Sequence, residues 1–170
     1  MTAAHLEAAE GGQSLAAVLE AQRDITRQLL SVARRQQQAI VSGDVEELTA
    51  SVEESQLFLE HLQALETERM TALVAISMAT GIDPDTATLS QIAAALPSDA
   101  AEAVRHTGQV LHAEATALHE TQEVNQRLLE SSRTLVDRWV NYLRSVLTGG
   151  VYTPAGGAAA NGGRTLDRSA

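Results

Sequence analysis

Between Asn125 and Leu147 the chain reads NQRLLESSRTLVDRWVNYLRSVL, and its apolar residues fill two adjacent stripes of one helix. Leu128, Leu135, Trp139 and Tyr142 share one stripe, and Leu129, Val136, Val140 and Leu143 lie beside it. A surface helix needs only one apolar stripe, about 100° wide, to face its core. The second stripe therefore calls for a partner. Directly afterwards comes GGVYTPAGGAAANGGRTLDRSA, with six glycines in 22 residues and only scattered apolar groups. Such a segment cannot offset its own ordering entropy. A sticky helix end running into a flexible tail is the pattern of a chain that binds another protein.

The rest of the chain reads as helix. Ala, Leu, Glu, Gln and Arg dominate, all good helix formers, and Phe58, Trp139, Tyr142 and Tyr152 are the only aromatic residues. The expectation is an all-α fold: an elongated antiparallel helical bundle of three long helices plus one short helix, with a disordered C-terminal tail. Residues 1–13 are expected to be a flexible N-terminus, 14–148 a helical domain and 149–170 the Gly-rich tail. Ser14 is the candidate cap of a first helix over 14–41, following the breaker pair Gly11-Gly12. Its seam is Leu15, Val18, Gln22, Ile25, Leu29, Val32, Gln36 and Ala39. Ser42-Gly43 ends it, and Asp44 with Glu47 opens a second helix. The expected buried face of that helix is Val45, Leu48, Val52, Leu59, Leu62, Leu65, Leu73 and Ile76, with Gly81 as its terminator. Thr88-Leu89-Ser90-Gln91 is a capping box for a short helix that Pro97 ends. Asp99 and Glu102 then open a last long helix to about Leu147. Its seam runs Val104, Thr107, Leu111, Glu114, Leu118, Thr121, Asn125, Leu128, Ser132, Leu135, Trp139, Tyr142 and Val146. Gly108 inside it is a candidate bend.

Several function classes are excluded or disfavoured. The chain has no cysteine, hence no disulfide, thiol nucleophile or thiolate metal site. No run approaches the ~20 apolar residues of a membrane span, and the N-terminus MTAAHLEAAEGGQ has neither the basic nor the apolar region of a signal peptide. A cytoplasmic protein without stable membrane insertion is expected. A net charge of −10 argues against nucleic acid as the partner. The charge is uneven: Asp44 to Glu68 holds eight acids and no Arg or Lys, whereas six arginines follow from Arg127 onward. His112, His119 and Glu123 fall near one helix face but read as solvated surface, so no metal or other cofactor is expected. The Glu-x-x-His spacing of di-iron bundles is absent, as are a P-loop, a dinucleotide fingerprint and a nucleophile elbow. The chain is not expected to be an enzyme.

The order of segments resembles a known family. Glu68-Arg69 is followed by LVAISMATGI around Gly81, then TLSQIAAALP. A long helix follows, with Asn125, Leu128, Leu129 and Ser132 in an N-x-x-LL-x-x-S pattern, and then a Gly-rich tail with Tyr152. This resembles the FlgN family of flagellar export chaperones over roughly residues 60–156, and residues 15–60 agree in length and helicity. The absence of lysine and the Ala/Gly-rich tail depart from the family pattern. The resemblance implies a cytoplasmic chaperone that binds hook-associated proteins of the FlgK and FlgL type, limits their premature assembly and delivers them to the flagellar export gate. It places client binding at Asn125, Leu128, Leu129, Ser132 and Leu135. Val136, Trp139, Val140 and Leu143 extend that surface, and Tyr152 joins it from the tail.

Two other classes are weighed against this one. A self-associating coiled-coil structural or signalling protein would use the same apolar end. A histidine phosphotransfer bundle is disfavoured, because such domains usually follow their histidine with Lys-Gly, and His61 is followed by Leu62-Gln63.

Overall fold

The computed structural model describes residues 3–148, with side-chain exposure resolved over 5–145. Those residues form four helices and no strand: α1 (Ala3–Ser42), α2 (Val45–Thr80), α3 (Leu89–Ala95) and α4 (Ser98–Thr148). The expected tail, 149–170, lies outside the described residues. The chain divides into two units, Met1–Ser131 and Ser132–Ala170. The first holds the bundle.

Local chemistry sets the breaks. Gly43 takes φ 73° to stop α1, and the Asp44 carboxylate then accepts the Glu47 N–H at 3.0 Å to start α2. Gly81, also at φ 73°, ends α2 while its N–H donates to the Ser77 carbonyl at 2.7 Å. The Thr88–Gln91 capping box is complete. Gln91 N–H donates to the Thr88 hydroxyl at 3.3 Å, and Thr88 N–H donates to the Gln91 side chain at 2.7 Å. Pro97 separates α3 from α4, and its carbonyl accepts the Ala101 N–H at 2.8 Å. The last helix thus begins at Ser98, just before the expected Asp99.

Two antiparallel helices, α1 and α2, form a hairpin, and α4 runs along α1 in the same direction. Three points fix that direction. Gly12 lies against Ala100, Arg27 pairs with Glu114 at 2.8 Å, and the Ala33 carbonyl accepts from Asn125 at 2.8 Å. The main core sits at one end, where α3 closes the bundle. Leu15, Leu19, Leu73, Ile76, Ile92, Leu96 and Val104 meet there, with alanines between them. Farther along, the seam turns polar. Gln22, Thr26, Gln36, Ser51 and Asn125 are buried. Gln36 satisfies its amide on the Ser51 carbonyl at 3.3 Å and the Ser55 hydroxyl at 3.0 Å. Buried polar contacts of this kind contribute little net stability, because a hydrogen bond in the core replaces one to water.

The expected boundary at Ser14 is corrected, because α1 continues through Gly11-Gly12 to Ala3. A Cβ on Gly11 would lie 2.9 Å from the Ile76 side chain, and one on Gly12 would lie 2.8 Å from Ala100. The glycines are a notch that lets α1 approach α2 and α4. Gly108 acts similarly on α4, since a Cβ there would overlap the Leu89 side chain of α3.

The expected buried face of α2 is also corrected. Leu73 and Ile76 are buried, and Leu48, Leu62 and Leu65 are partly covered, but Val45, Val52 and Leu59 are exposed. The tightly packed position in that half of α2 is Ser51, fully buried against α1. A small polar residue at the contact brings the two backbones close and turns the neighbouring Val52 outward.

Candidate protein-binding surface

Two apolar surfaces remain uncovered, one in each unit. The first is a groove of about 840 Å³ in the bundle. One wall is α2 from Leu48 to Leu59, with Val52, Ser55 and Gln56 between them. The other is α4 from His119 to Glu130, with Glu123, Gln126 and Leu129 facing in. Gln36 and Ile40 of α1 form the floor with Asn125. Ile40, Leu48, Val52 and Leu59 form an aliphatic patch beside the polar Gln36, Ser55, Gln56 and Asn125, and the α4 rim carries Glu123 and Glu130. Glu123 holds His119 and Arg127 of its own helix at 3.6 Å each.

The second surface is the end of α4. Every described residue from Ser132 to Ser145 is exposed. Leu135, Val136, Trp139, Val140, Tyr142 and Leu143 each keep between 46% and 60% of their surface in contact with solvent. The sequence pattern had one of the two stripes facing the hairpin. In the structure neither is covered beyond Ser131. Trp139 and Tyr142, one turn apart, meet edge to face at 6.1 Å and 88°. Edge-to-face contact is one of the favoured geometries of an aromatic pair. Trp and Tyr are favoured as interface anchors, and a contiguous apolar patch of this kind marks an interaction site more often than an ordinary surface.

The residues singled out from the sequence therefore separate into groups. Ser132, Leu135, Val136, Trp139, Val140 and Leu143 lie together on the exposed helix end. Leu129 is exposed and lines the groove, and Leu128 is half-buried on the bundle side. Asn125 is buried. Its amide nitrogen donates to Ala33, while its Oδ1 has no hydrogen-bond partner. Tyr152 lies outside the described residues. The groove residues Val52 and Leu59 were not singled out, because their periodicity reads as core, and Ile40 lies off the α1 seam that the spacing defines.

Among the described residues, no three His, Asp or Glu side chains converge as a metal site, and His119 only meets Glu123 one turn on. No described helix is long and apolar enough to cross a membrane. The carboxylate with the clearest perturbation is Glu66 on α2. Hydrogen bonding to the Arg69 guanidinium holds it below the usual carboxylate range, against a smaller opposing effect of burial. That pair braces α2 through surface electrostatics and lies away from the apolar helix end.

What the geometry defines is a helical scaffold with an uncovered apolar groove and an uncovered apolar helix end. The chain belongs to the FlgN family, whose family model, described as FlgN protein, matches residues 11–160. It therefore takes its place among the flagellar export chaperones, a chaperone family rather than an enzyme family, whose members bind flagellar proteins. Neither the curated proteins nor the solved structures yielded a match.

Proposed function

We propose that this chain is the cytoplasmic chaperone of hook–filament junction proteins of the FlgK and FlgL type, and that it delivers them to the flagellar export gate. In this reading it acts without a cofactor and without catalysis. Client capture takes place on the exposed end of α4, from Ser132 to Leu143, with Leu128 and Leu129 at its bundle-side margin. The observation that carries this reading is the uncovered double stripe on a helix of an export-chaperone family member. A client's terminal helix lays its own apolar stripe against that surface, the helix-in-groove mode of recognition. Burying one Leu, Val or Trp contributes about 1.5–3 kcal/mol, and ordering the client consumes much of the total. Affinity then stays moderate, as delivery and release require.

In this arrangement Asn125 supports the surface instead of touching the client, because it is buried and its amide nitrogen donates to Ala33. Tyr152 is assigned an auxiliary contact from the tail.

The test is the double variant Val136→Asp with Leu143→Asp. It should lose capture of the junction proteins in a pull-down while its helical circular dichroism and melting temperature stay at wild-type values. A folded variant that still captures them normally would place the client surface elsewhere. An unfolded one would make these residues structural.

A further inference from the structure

One face of α4 is covered at the core end and open farther along. Gly108 lies on that face, and a Cβ there would overlap the Leu89 side chain of α3. His119 and Gln126, on the α4 wall of the groove, follow Gly108 at nearly whole numbers of helical turns, about three and five. At the core end α3 supplies the cover. Its Ile92 and Ala93 are buried in one cluster with Leu73 and Ile76 of α2 and Ala101 and Val104 of α4. In the groove, Val52, Leu59 and Leu129 each leave about half of their surface exposed. We propose that a short, uncharged, aliphatic helix of a partner protein docks in the α2–α4 groove and continues the layer that α3 begins.

Three observations define this occupant. The first is the chain's own example. On the same α4 face sits α3, which reads LSQIAAA and carries no charge. The second is charge. The floor and the α2 wall hold no ionisable side chain, with Gln36, Ser55, Gln56 and Asn125 as their polar groups. The two rim carboxylates are answered from their own helix. Glu123 meets His119 and Arg127, and Glu130 accepts from Gln126 at 3.0 Å. An acidic helix would be repelled by Glu123 and Glu130, and a basic one would have to compete with Arg127. Neutral chemistry complements the groove on both counts. The third is length. The α2 wall from Leu48 to Leu59 and the α4 wall from His119 to Glu130 each run about 16 Å, room for about three turns.

A helix laid there meets α1 below and α2 and α4 at its sides, so the open section becomes a four-helix one. Its apolar residues fall on Ile40, Leu48, Val52 and Leu59, and its polar flanks reach Gln56 and Gln126. A single three-turn helix buries less than a stable interface usually needs, so the contact is weak and exchanges readily. The groove lies wholly within the unit Met1–Ser131. It is therefore a docking seat separate from client capture on Ser132–Leu143, and the two can be lost independently.

The experiment is a nuclear magnetic resonance titration of the full chain with a synthetic amphipathic helix about fourteen residues long. The peptide is built from leucine, isoleucine, alanine and glutamine, with a lysine-bearing and a glutamate-bearing version beside it. The neutral peptide should shift the signals of Ile40, Val52, Leu59 and Leu129, and both charged versions should bind the groove more weakly. Val52→Asp with Leu59→Asp changes exposed positions, so circular dichroism should match wild type while groove affinity falls by about tenfold or more. Leu59→Gln, a milder change, should weaken binding in the same sense. Val136→Asp with Leu143→Asp should leave the groove shifts in place. A neutral peptide that moves no groove signal overturns the proposal, as do groove shifts that persist in the folded Val52→Asp, Leu59→Asp variant. Tighter groove binding by a charged version overturns the uncharged assignment. Groove shifts that vanish with Val136→Asp and Leu143→Asp would remove the separate seat. Groove signals that move with protein concentration alone would give the groove to a second copy and overturn the partner helix.

Discussion

The two halves of α4 invert the usual relation between apolar content and burial. From Val104 to Asn125 the inward seam is mostly small or polar, with Thr107, Glu114, Thr121 and Asn125 on it, yet it is covered by the hairpin. From Ser132 to Leu143 the same helix carries Leu135, Val136, Trp139, Val140 and Tyr142, and all are exposed. The half that is richer in apolar surface is the one left in water. The hydrophobic effect acts on area and has no direction. A strong apolar stripe states that a face favours cover, without naming what covers it. The covered half holds its place through close approach at Gly12 and Gly108 and through specific contacts such as Asn125 to Ala33 and Arg27 to Glu114.

The sharpest way to break this contrast is the same substitution in both halves. Val104 has no exposed surface. Val104→Asp puts an unpaired carboxylate into the core, and the expected loss exceeds about 4 kcal/mol. Chemical denaturation should find the variant largely unfolded. Next in size is Gly12→Val, which forces side-chain atoms into Ala100 and Leu96. Overpacking of this kind costs about 1–3 kcal/mol, and the melting temperature should fall accordingly. If Gly12 were a helix breaker outside the fold, the variant would be as stable as wild type.

Asn125→Ala removes the 2.8 Å bond to Ala33. It should cost about 1 kcal/mol, seen as a shifted denaturation midpoint with client capture retained. Loss of capture by a stable variant would make Asn125 a direct contact. Val140→Asp, on the exposed half, should stay within about 0.5 kcal/mol of wild type. A large loss there would show that the helix end is packed in the free protein and would remove the contrast.

The smallest effect is electrostatic. Arg69 lowers the carboxyl pKa of Glu66, so the pair stabilises the fold above the unfolded-state pKa of about 4.3. Its contribution fades as pH falls through the depressed folded value. Arg69→Gln should therefore melt slightly below wild type at neutral pH, and the two should converge in acid. Both partners are substantially solvated, so the difference is small.

Helix class, helix number and the breaks between helices could be read from the chain because they rest on neighbours in sequence. Asp44, Gly81 and Thr88 act on backbone groups within four residues, and those groups need partners whatever surrounds them. The candidate helix end was legible for the same reason: its two stripes follow from spacing alone. What the hairpin would cover was not legible. Val52 and Leu59 have core periodicity but line an open groove, because Ser51 makes the close contact with α1. Gly11-Gly12 has the composition of a break, yet it is a packing notch, because Ile76 and Ala100 arrive from residues far along the chain. Asn125 belongs to a pattern associated with client binding, and the fold commits its amide to Ala33. Local hydrogen bonding determined the helices, while burial is a property of pairs of surfaces. Which surfaces meet was decided only when small residues let particular helices close together.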